Sequence, residues 1–172
     1  EDAAGESVQA VEILERFLRS GVDPAVAMKV LNSVMLLRSG DEWGFATVDL
    51  MYIDLFSGET SFYKYGAAPS YVRCGKSVRR IDCESLAAGL SAGEGVKPDT
   101  VRMVLHPGNV AVIASDGVIS GPDDTWLRTM LTAEEDPADM KSLARRVLRA
   151  AAEQEGGTDD MTVLAVRVDA RA

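Results

Sequence analysis

Two successive stretches near the start of the chain carry apolar side chains at helical spacing. In the first stretch these side chains are Val8, Val11, Leu14 and Leu18, and the stripe is widened by Ala10, Ile13 and Phe17. In the second they are Ala27, Val30, Leu31, Val34 and Leu37. Gly21 ends the first stretch, and Asp23 with Pro24 provides a capping residue and a first helical position for the second. The pattern predicts two amphipathic helices, antiparallel because the turn between them is short.

From residue 45 onward the apolar positions follow the pattern of strands. Residues 45–66 predict a hairpin with Ser57 and Gly58 in its turn. In that register Asp49 faces Gly66 from within a largely apolar strand, where a carboxylate needs a partner. Asp49 therefore either supports a nearby metal site or is a solvated or hydrogen-bonded aspartate, and the second interpretation is favoured.

Strands and helices then continue in separate blocks. Further strands are predicted in a hairpin over residues 70–82 and in residues 100–106, 109–115 and 161–168. A short helix is predicted near residues 123–131. A long helix follows, with Asp136 as its cap, Pro137 as its first residue and an end at Gly156. This order predicts the α+β class, in which antiparallel sheet is covered by helices.

Composition and charge fit a single globular domain over residues 1–172. Hydrophobic residues make up 47% of the chain and charged residues 26%, and the net charge is −9. That charge repels a phosphate backbone, so no nucleic-acid partner is expected. No apolar run approaches the roughly 20 residues of a membrane span, so no membrane contact by this segment is expected. The chain has no signal peptide and starts at Glu1 instead of Met, which predicts a piece of a longer protein.

The two cysteines are predicted to be free. If Gly75 and Lys76 form a two-residue turn, Cys74 faces Ser77, and Cys83 lies too far along the partner strand for a disulfide. Two free thiols favour a reducing compartment, so a cytoplasmic location is expected.

Aspartates occur at the ends of two predicted strands. Asp116 ends an apolar strand and is followed by Gly117, whereas Asp159 and Asp160 precede the last strand. If these strands are antiparallel neighbours, Asp116 and Asp159 lie at the same edge of the sheet. Carboxylates converging there repel one another unless a cation lies between them, and hard oxygen ligands suit Mg²⁺ or Mn²⁺. Each aspartate could instead cap a turn, which is the favoured interpretation of "SDG" alone; the two motifs together favour a metal site.

The combination "VIASDGV" and "GGTDDMTVLAVRV" resembles the closing motifs of metal-dependent serine/threonine phosphatases of the PP2C class. The hairpins in residues 45–82 and the opening helix pair are similar to the bacterial branch typified by stage II sporulation protein E. The resemblance implies an α-β-β-α sandwich that holds two divalent ions, Mn²⁺ or Mg²⁺. It implies Asp116 and Asp159 as metal ligands, with Gly117 and Asp160 supporting them. Hydrolysis by a metal-activated water needs no covalent enzyme intermediate.

The resemblance also implies partners and a missing motif. Its substrate would be a phosphoserine on an anti-sigma-factor antagonist, docked on the metal edge and on loops such as residues 85–98. The family's first metal-binding Asp-Gly pair is absent, so the chain is expected to be the C-terminal part of a phosphatase domain, weakly active or inactive. An exposed sheet edge then predicts a homodimer or a domain swap. Family members are anchored upstream, so the cytoplasmic face of a membrane is an alternative location.

Three further features have alternative interpretations. His106 lies in a turn and matches no catalytic position of the family, so a structural role is expected. The helices in residues 7–38 either switch the metal site on and off or simply pack on the sheet. Ala87 stands where the family commonly has proline, which predicts a more flexible loop. A non-catalytic interaction module with the same fold remains the alternative to an enzyme.

Overall fold

The computed structural model describes residues 3–38, 44–93, 96–133, 139–155 and 159–170. In this part of the chain the helices are α1 (Ala3–Arg19), α2 (Pro24–Arg38), α3 (Thr125–Ala133) and α4 (Met140–Glu155). The strands are β1 (Val48–Ile53), β2 (Glu59–Tyr65), β3 (Ser70–Cys74), β4 (Ser77–Ile81), β5 (Asp99–Val104), β6 (Val110–Ala114) and β7 (Val163–Arg167). The strand pairs β1–β2, β3–β4, β3–β6 and β6–β7 are all antiparallel. The predicted α+β class is confirmed.

Residues 1–67 and 83–103 form the first of two compact units. Its sheet has the order β1-β2-β5, and α1 and α2 contribute to its apolar core. The predicted start of α2 is confirmed, because the Asp23 carboxylate accepts hydrogen bonds from the backbone N–H groups of Ala25 (2.9 Å) and Val26 (3.2 Å). Gly21 has a φ of 77°, which lets the chain leave α1.

The face that α1 buries is only part of the predicted stripe. Leu14 is buried as expected, but Val8 and Val11 are 57% and 62% exposed, and Leu37 of α2 is 86% exposed. The buried hydrophobic residues of α1 and α2 are Ala10, Leu14, Ala27, Met28, Leu31 and Met35. Ile13, Phe17 and Leu18 are partly buried against the same core, so the predicted stripe contained the side of α1 that meets the core but was too wide.

The β1–β2 hairpin has a longer connection than predicted. Asp49 pairs with Lys64, so the prediction that it faces Gly66 is wrong. The Asp54 carboxylate accepts hydrogen bonds from the N–H groups of Phe56 (2.7 Å) and Ser57 (3.0 Å). This side-chain cap, followed by Gly58 at a φ of 74°, closes a five-residue loop in place of a two-residue turn.

Residues 68–82 and 104–172 form the second unit. Its sheet has the order β4-β3-β6-β7, and the predicted pairing of Cys74 with Ser77 is confirmed. Its buried apolar core includes Tyr71, Val110, Val112, Leu127, Leu131, Leu143 and Val147, which come from strands and from α3 and α4.

Two predictions about the second unit concern element boundaries and turns. The proposed cap Asp136 and first residue Pro137 lie outside the described residues. The described helix α4 begins at Met140, and the Asp139 carboxylate accepts a hydrogen bond from the Lys141 N–H (3.0 Å). The turn at His106 is confirmed, since the His106 carbonyl accepts a hydrogen bond from the Asn109 N–H at 2.9 Å.

Both cysteines are free thiols, Cys74 exposed and Cys83 partly buried. Within the described ranges, every helix is too short or too polar to cross a bilayer.

Candidate metal centre at the β6–β7 edge

The strands that carry the predicted ligands are antiparallel neighbours. Ala114 at the end of β6 pairs with Val163 at the start of β7. The pairing continues one step further, where the Ser115 N–H donates to the Thr162 carbonyl at 3.0 Å. Asp116 and Asp159 therefore emerge from adjacent strand ends at one edge of the second unit's sheet.

Gly117 brings these two segments into close contact. A Cβ atom at position 117 would overlap the backbone oxygen of Asp160 and would lie 3.3 Å from the Cβ of Asp159. Gly117 is buried, although its neighbours Asp116, Asp159 and Asp160 are exposed. The contact thus needs glycine for space rather than for an unusual φ angle, and it holds the backbone next to Asp116 against Asp159.

Both carboxylates are anchored by one oxygen. The Asp116 Oδ1 accepts a hydrogen bond from the Gly117 N–H at 3.1 Å, and the Asp159 Oδ1 accepts one from the Asp160 N–H at 2.8 Å. Both side chains are exposed to solvent, so their remaining oxygens are open to a cation. The site presents hard oxygen donors on a backbone with little freedom to move.

These donors fit Mg²⁺ or Mn²⁺ in kind but not in number. Mg²⁺ takes about six oxygen ligands, commonly one or two carboxylates with several waters. Among the residues that the structure describes, no cluster of three or more His, Cys, Asp or Glu side chains could hold a metal ion. Asp116 and Asp159 could therefore hold an ion only together with water or with ligands from elsewhere.

Asp49 lies in the first unit and is paired with a cationic side chain of the same sheet. Its carboxylate forms an ion pair with the Lys64 ammonium, and the two side chains are 9% and 1% exposed. This is the hydrogen-bonded aspartate that the sequence favoured, and its support of a metal site stays a prediction. Lys64 was not singled out from the sequence, although a lysine inside an alternating apolar strand is the available signal.

The segment that follows Asp116 is fixed at its far end by a polar network that the sequence did not reveal. The buried Asp124 carboxylate accepts hydrogen bonds from the Tyr71 hydroxyl (2.9 Å) and from the Arg80 guanidinium (2.8 Å). Burial, followed by the hydrogen bond to Asp124, raises the pKa of Tyr71 far above its ordinary value, so the hydroxyl stays protonated. Between the two ends, Val118 and Ile119 are buried in the core.

Part of the loop proposed to contact a substrate is buried, and its greater flexibility where Ala87 replaces proline stays a prediction. Ala87 is 8% exposed, and Ala88 is buried and bridged to Ala46. The Asn32 side chain of α2 accepts a hydrogen bond from the Gly89 N–H (2.9 Å) and donates one to the Ser91 carbonyl (3.2 Å). Asn32 was missed because its partners lie far along the chain.

Solved structures define the class of protein to which this fold belongs. The chain aligns with a TM-score of 0.82 to the PP2C phosphatase domain and a fragment of the regulatory domain of SpoIIE from Bacillus subtilis, with 30% identity over 95% of this chain and 49% of that chain. The SiaA-PP2C domain of Pseudomonas aeruginosa aligns with a TM-score of 0.77 and 18% identity over 96% of this chain and 70% of that one. At such low identity the second match shows the fold alone. The predicted PP2C-like fold is confirmed.

Sequence comparison identifies the family within that class. The family described as Stage II sporulation protein E (SpoIIE) matches residues 1–169. Stage II sporulation protein E of Bacillus subtilis (strain 168) is 33% identical over 172 residues, which cover 95% of this chain and 20% of that protein. The protein of the same name from Priestia megaterium is 29% identical over 98% of this chain and 29% of its own length. The chain belongs to the stage II sporulation protein E family, and it spans less than a third of these curated relatives.

Proposed function

We propose that this chain forms part of a metal-dependent serine/threonine protein phosphatase. The observation that carries the proposal is the shared edge at which Asp116 and Asp159 lie, with Gly117 packed against the Asp160 backbone and the Asp159 Cβ. Membership of the stage II sporulation protein E family and the PP2C-like fold support the same activity.

The roles of the residues follow from their contacts. Asp116 and Asp159 would hold a divalent ion through the oxygens that face solvent, while the other oxygen of each stays bonded to a backbone N–H. A bound ion supplies an acidified water and neutralises charge on the phosphate oxygens. Gly117 keeps the two strand ends in contact, and Asp160 supports them through its backbone. The proposal assigns no side chain as a covalent nucleophile.

Manganese is the ion we propose to test first, with magnesium as the alternative. The phosphatase domain of SpoIIE from Bacillus subtilis has a structure described as Mn presoaked. The resemblance predicts two ions in a complete domain, and the pair of carboxylates described above falls short of that requirement. We therefore propose that residues 1–172 are the C-terminal part of the phosphatase domain and bind metal weakly without further ligands.

The proposed substrate is a phosphoserine on an anti-sigma-factor antagonist. The support is family membership together with the hydrogen bonds by which Asn32 holds Gly89 and Ser91, two residues of the loop that we propose to contact a protein partner. The proposed location is the cytoplasm or the cytoplasmic face of a membrane. The free thiols of Cys74 and Cys83 agree with a reducing compartment.

Self-association is a further part of the proposal. The strand β1 lies at an edge of its sheet, and Tyr52 on that strand is 48% exposed. One structure of the SpoIIE phosphatase domain is described as a crystal form without domain swapping. Light scattering over a range of concentrations should show a mass that rises with concentration; a constant monomer mass would contradict this part.

The activity is tested by release of phosphate from a phosphoserine peptide with and without Mn²⁺. The assay compares this chain with a longer version that includes the preceding sequence of its parent protein. Asp116→Asn and Asp159→Asn should each lower the Mn²⁺-dependent rate of the longer version about 100-fold or more, since a metal ligand supports several kcal/mol of transition-state stabilisation. This chain alone should be weakly active.

The alternative is a non-catalytic interaction module, which the absence of a three-ligand cluster among the described residues favours. It predicts no Mn²⁺-dependent phosphate release by either version and no difference between the wild type and the two variants. His106→Ala is the control, because His106 is exposed in a turn and should leave the rate unchanged under both interpretations.

A further inference from the structure

Ser115 connects the two strand ends through its side chain as well as its backbone. Its Oγ accepts a hydrogen bond from the Thr162 N–H at 2.9 Å and donates one to the Asp160 carbonyl at 3.3 Å. Its backbone N–H donates to the Thr162 carbonyl at 3.0 Å. One residue therefore makes three hydrogen bonds to the segment that directly follows Asp159.

These bonds lie where the regular ladder has already ended. The last paired residues of β6 and β7 are Ala114 and Val163. Beyond them, residues 159–162 have no strand pairing of their own. The Ser115 hydroxyl adds to three other features that hold this segment against the end of β6: the Ser115 backbone N–H, the Gly117 contact and the packing of Met161 on the core.

We propose that Ser115 is a positioning residue that sets the separation of Asp116 and Asp159 for a divalent cation. The inference rests on the proposed function, because it gives Ser115 a role in that same site. Ser115 precedes Asp116 directly, and its two hydroxyl partners flank the Asp160–Thr162 segment. A hydroxyl both donates and accepts, so it can bond a carbonyl and an N–H at once, which alanine cannot do.

The position also permits a conservative rescue. Threonine keeps the hydroxyl, and its branched side chain suits the extended backbone at a strand end. Ser115→Thr should therefore retain the hydrogen bonds to Asp160 and Thr162, whereas Ser115→Ala should lose both. Groups that orient metal ligands typically change metal affinity about 10- to 100-fold when they are removed.

The test is a Mn²⁺ titration of this chain followed by NMR, because paramagnetic broadening of amide signals detects weak binding. The signals to follow are those of residues 115–118 and 159–162. Ser115→Ala should need about tenfold more Mn²⁺ for half-broadening than the wild type, and Ser115→Thr should stay close to the wild type. Ser33→Ala is the matched control, since it removes a serine hydroxyl that bonds the Lys29 carbonyl within α2.

A metal-free measurement tests the hydrogen bond itself. Amide exchange at Thr162 should be faster in Ser115→Ala than in the wild type and unchanged in Ser33→Ala, because only the first variant removes the acceptor of the Thr162 N–H. Unchanged exchange at Thr162 would overturn the inference without reference to any metal.

Asp116→Asn separates failure of the inference from failure of the proposed function. If the wild type and Asp116→Asn broaden alike, the metal site is wrong and the role of Ser115 falls with it. If the wild type binds, Asp116→Asn does not, and Ser115→Ala binds as well as the wild type, only the role of Ser115 is overturned. Equal loss of binding in Ser115→Thr and Ser115→Ala would also overturn it, since the hydroxyl would then not be the cause.

Discussion

Two aspartate sites in this protein solve the problem of a carboxylate charge in opposite ways. Asp49 in the first unit is nearly buried and is neutralised by Lys64, which is 1% exposed. Asp116 and Asp159 in the second unit are exposed side by side on adjacent strand ends, and each is bonded to the N–H of the residue that follows it. A buried carboxylate needs a cationic side chain of the protein as its partner. Exposed carboxylates are hydrated and can bind a cation from solution. The first arrangement satisfies a buried charge within the fold. We propose that the second leaves a site for a ligand.

The largest expected effect on the free energy of unfolding comes from removing the ammonium group of Lys64. Lys64→Met keeps most of the unbranched side chain but removes the ammonium group that pairs with the buried Asp49 carboxylate. The free energy of unfolding should fall by about 3–5 kcal/mol, measured by urea denaturation. Asp49→Leu combined with Lys64→Met should recover most of that loss, because no uncompensated charge remains.

The exposed ion pair between Glu15 and Arg19 on α1 gives a matched control. These side chains are 52% and 79% exposed, so Arg19→Met should cost less than about 1 kcal/mol. Equal losses in Lys64→Met and Arg19→Met would show that burial does not distinguish the Asp49–Lys64 pair, and the comparison of the two aspartate sites would lose its basis.

The second prediction concerns the close backbone contact at the metal edge. Gly117→Ala places a Cβ atom on the Asp160 carbonyl, so the ends of β6 and β7 must separate. Overpacking of this kind should lower the free energy of unfolding by about 1–3 kcal/mol. Mn²⁺-induced broadening of the amide signals near Asp116 and Asp159 should also be lost.

Gly121→Ala is the control, because a Cβ atom at Gly121 meets no described atom within 4 Å. Its stability should change by less than about 0.5 kcal/mol, as at an ordinary surface position. A Gly117→Ala variant that melts and binds Mn²⁺ like Gly121→Ala would show that the strand ends can separate without consequence.

Asp99 is intermediate between the buried Asp49 and the exposed Asp116 and Asp159. Its negative charge is stabilised by hydrogen bonds from backbone N–H groups. Its carboxylate accepts hydrogen bonds from the N–H groups of Glu84 (2.5 Å) and Ser85 (2.7 Å). Burial alone raises the pKa of Asp99, but the hydrogen bonds from Ser85 and Glu84 outweigh it, and the pKa lies below its ordinary value of 3.8. A lowered folded-state pKa stabilises the fold at pH values above the unfolded pKa, and this stabilisation is lost as the pH falls through the folded pKa.

Asp99→Asn should therefore reduce the free energy of unfolding at pH 7 by about 1 kcal/mol, the scale of an ordinary intramolecular hydrogen bond. The difference from the wild type should shrink between about pH 5 and the acid limit of the urea titrations, because the wild type then loses the same charge. Asp169→Asn, at an exposed position near the chain end, is the control. A difference that stays constant with pH would contradict the role of the Asp99 charge.

Features set by local sequence could be predicted, and features set by distant partners could not. The cap at Asp23 and the turn after Cys74 depend on neighbours within a few residues, and both are confirmed. The pairing of β6 with β7 entered the sequence analysis only as a condition for Asp116 and Asp159 to share an edge, and the structure fulfils that condition.

The missed features each depend on residues that are distant in sequence. The role of Lys64 depends on its ion pair with Asp49 on the neighbouring strand. The predicted register of this hairpin was wrong because the cap by Asp54 lengthens the loop. Asp124 depends on Tyr71 and Arg80 from another hairpin. Ser115 directly precedes Asp116 in a motif already singled out, but only its bonds to residues 160 and 162 reveal its position between the strand ends.

The smallest expected effect sharpens the contrast between the two sites. Asp116→Asn in the metal-free protein should change the free energy of unfolding by less than about 0.5 kcal/mol, because the side chain is exposed and the amide oxygen can still accept the Gly117 N–H. In the wild type, millimolar Mn²⁺ should raise the melting temperature by mass action on the folded state, and in Asp116→Asn it should not. Asp123→Asn, an exposed aspartate that bonds the Thr125 N–H at the start of α3, should keep the Mn²⁺ effect. A large loss of stability in metal-free Asp116→Asn would mean that Asp116 serves the fold as Asp49 does, and the division of the two sites into a structural pair and a ligand site would fail.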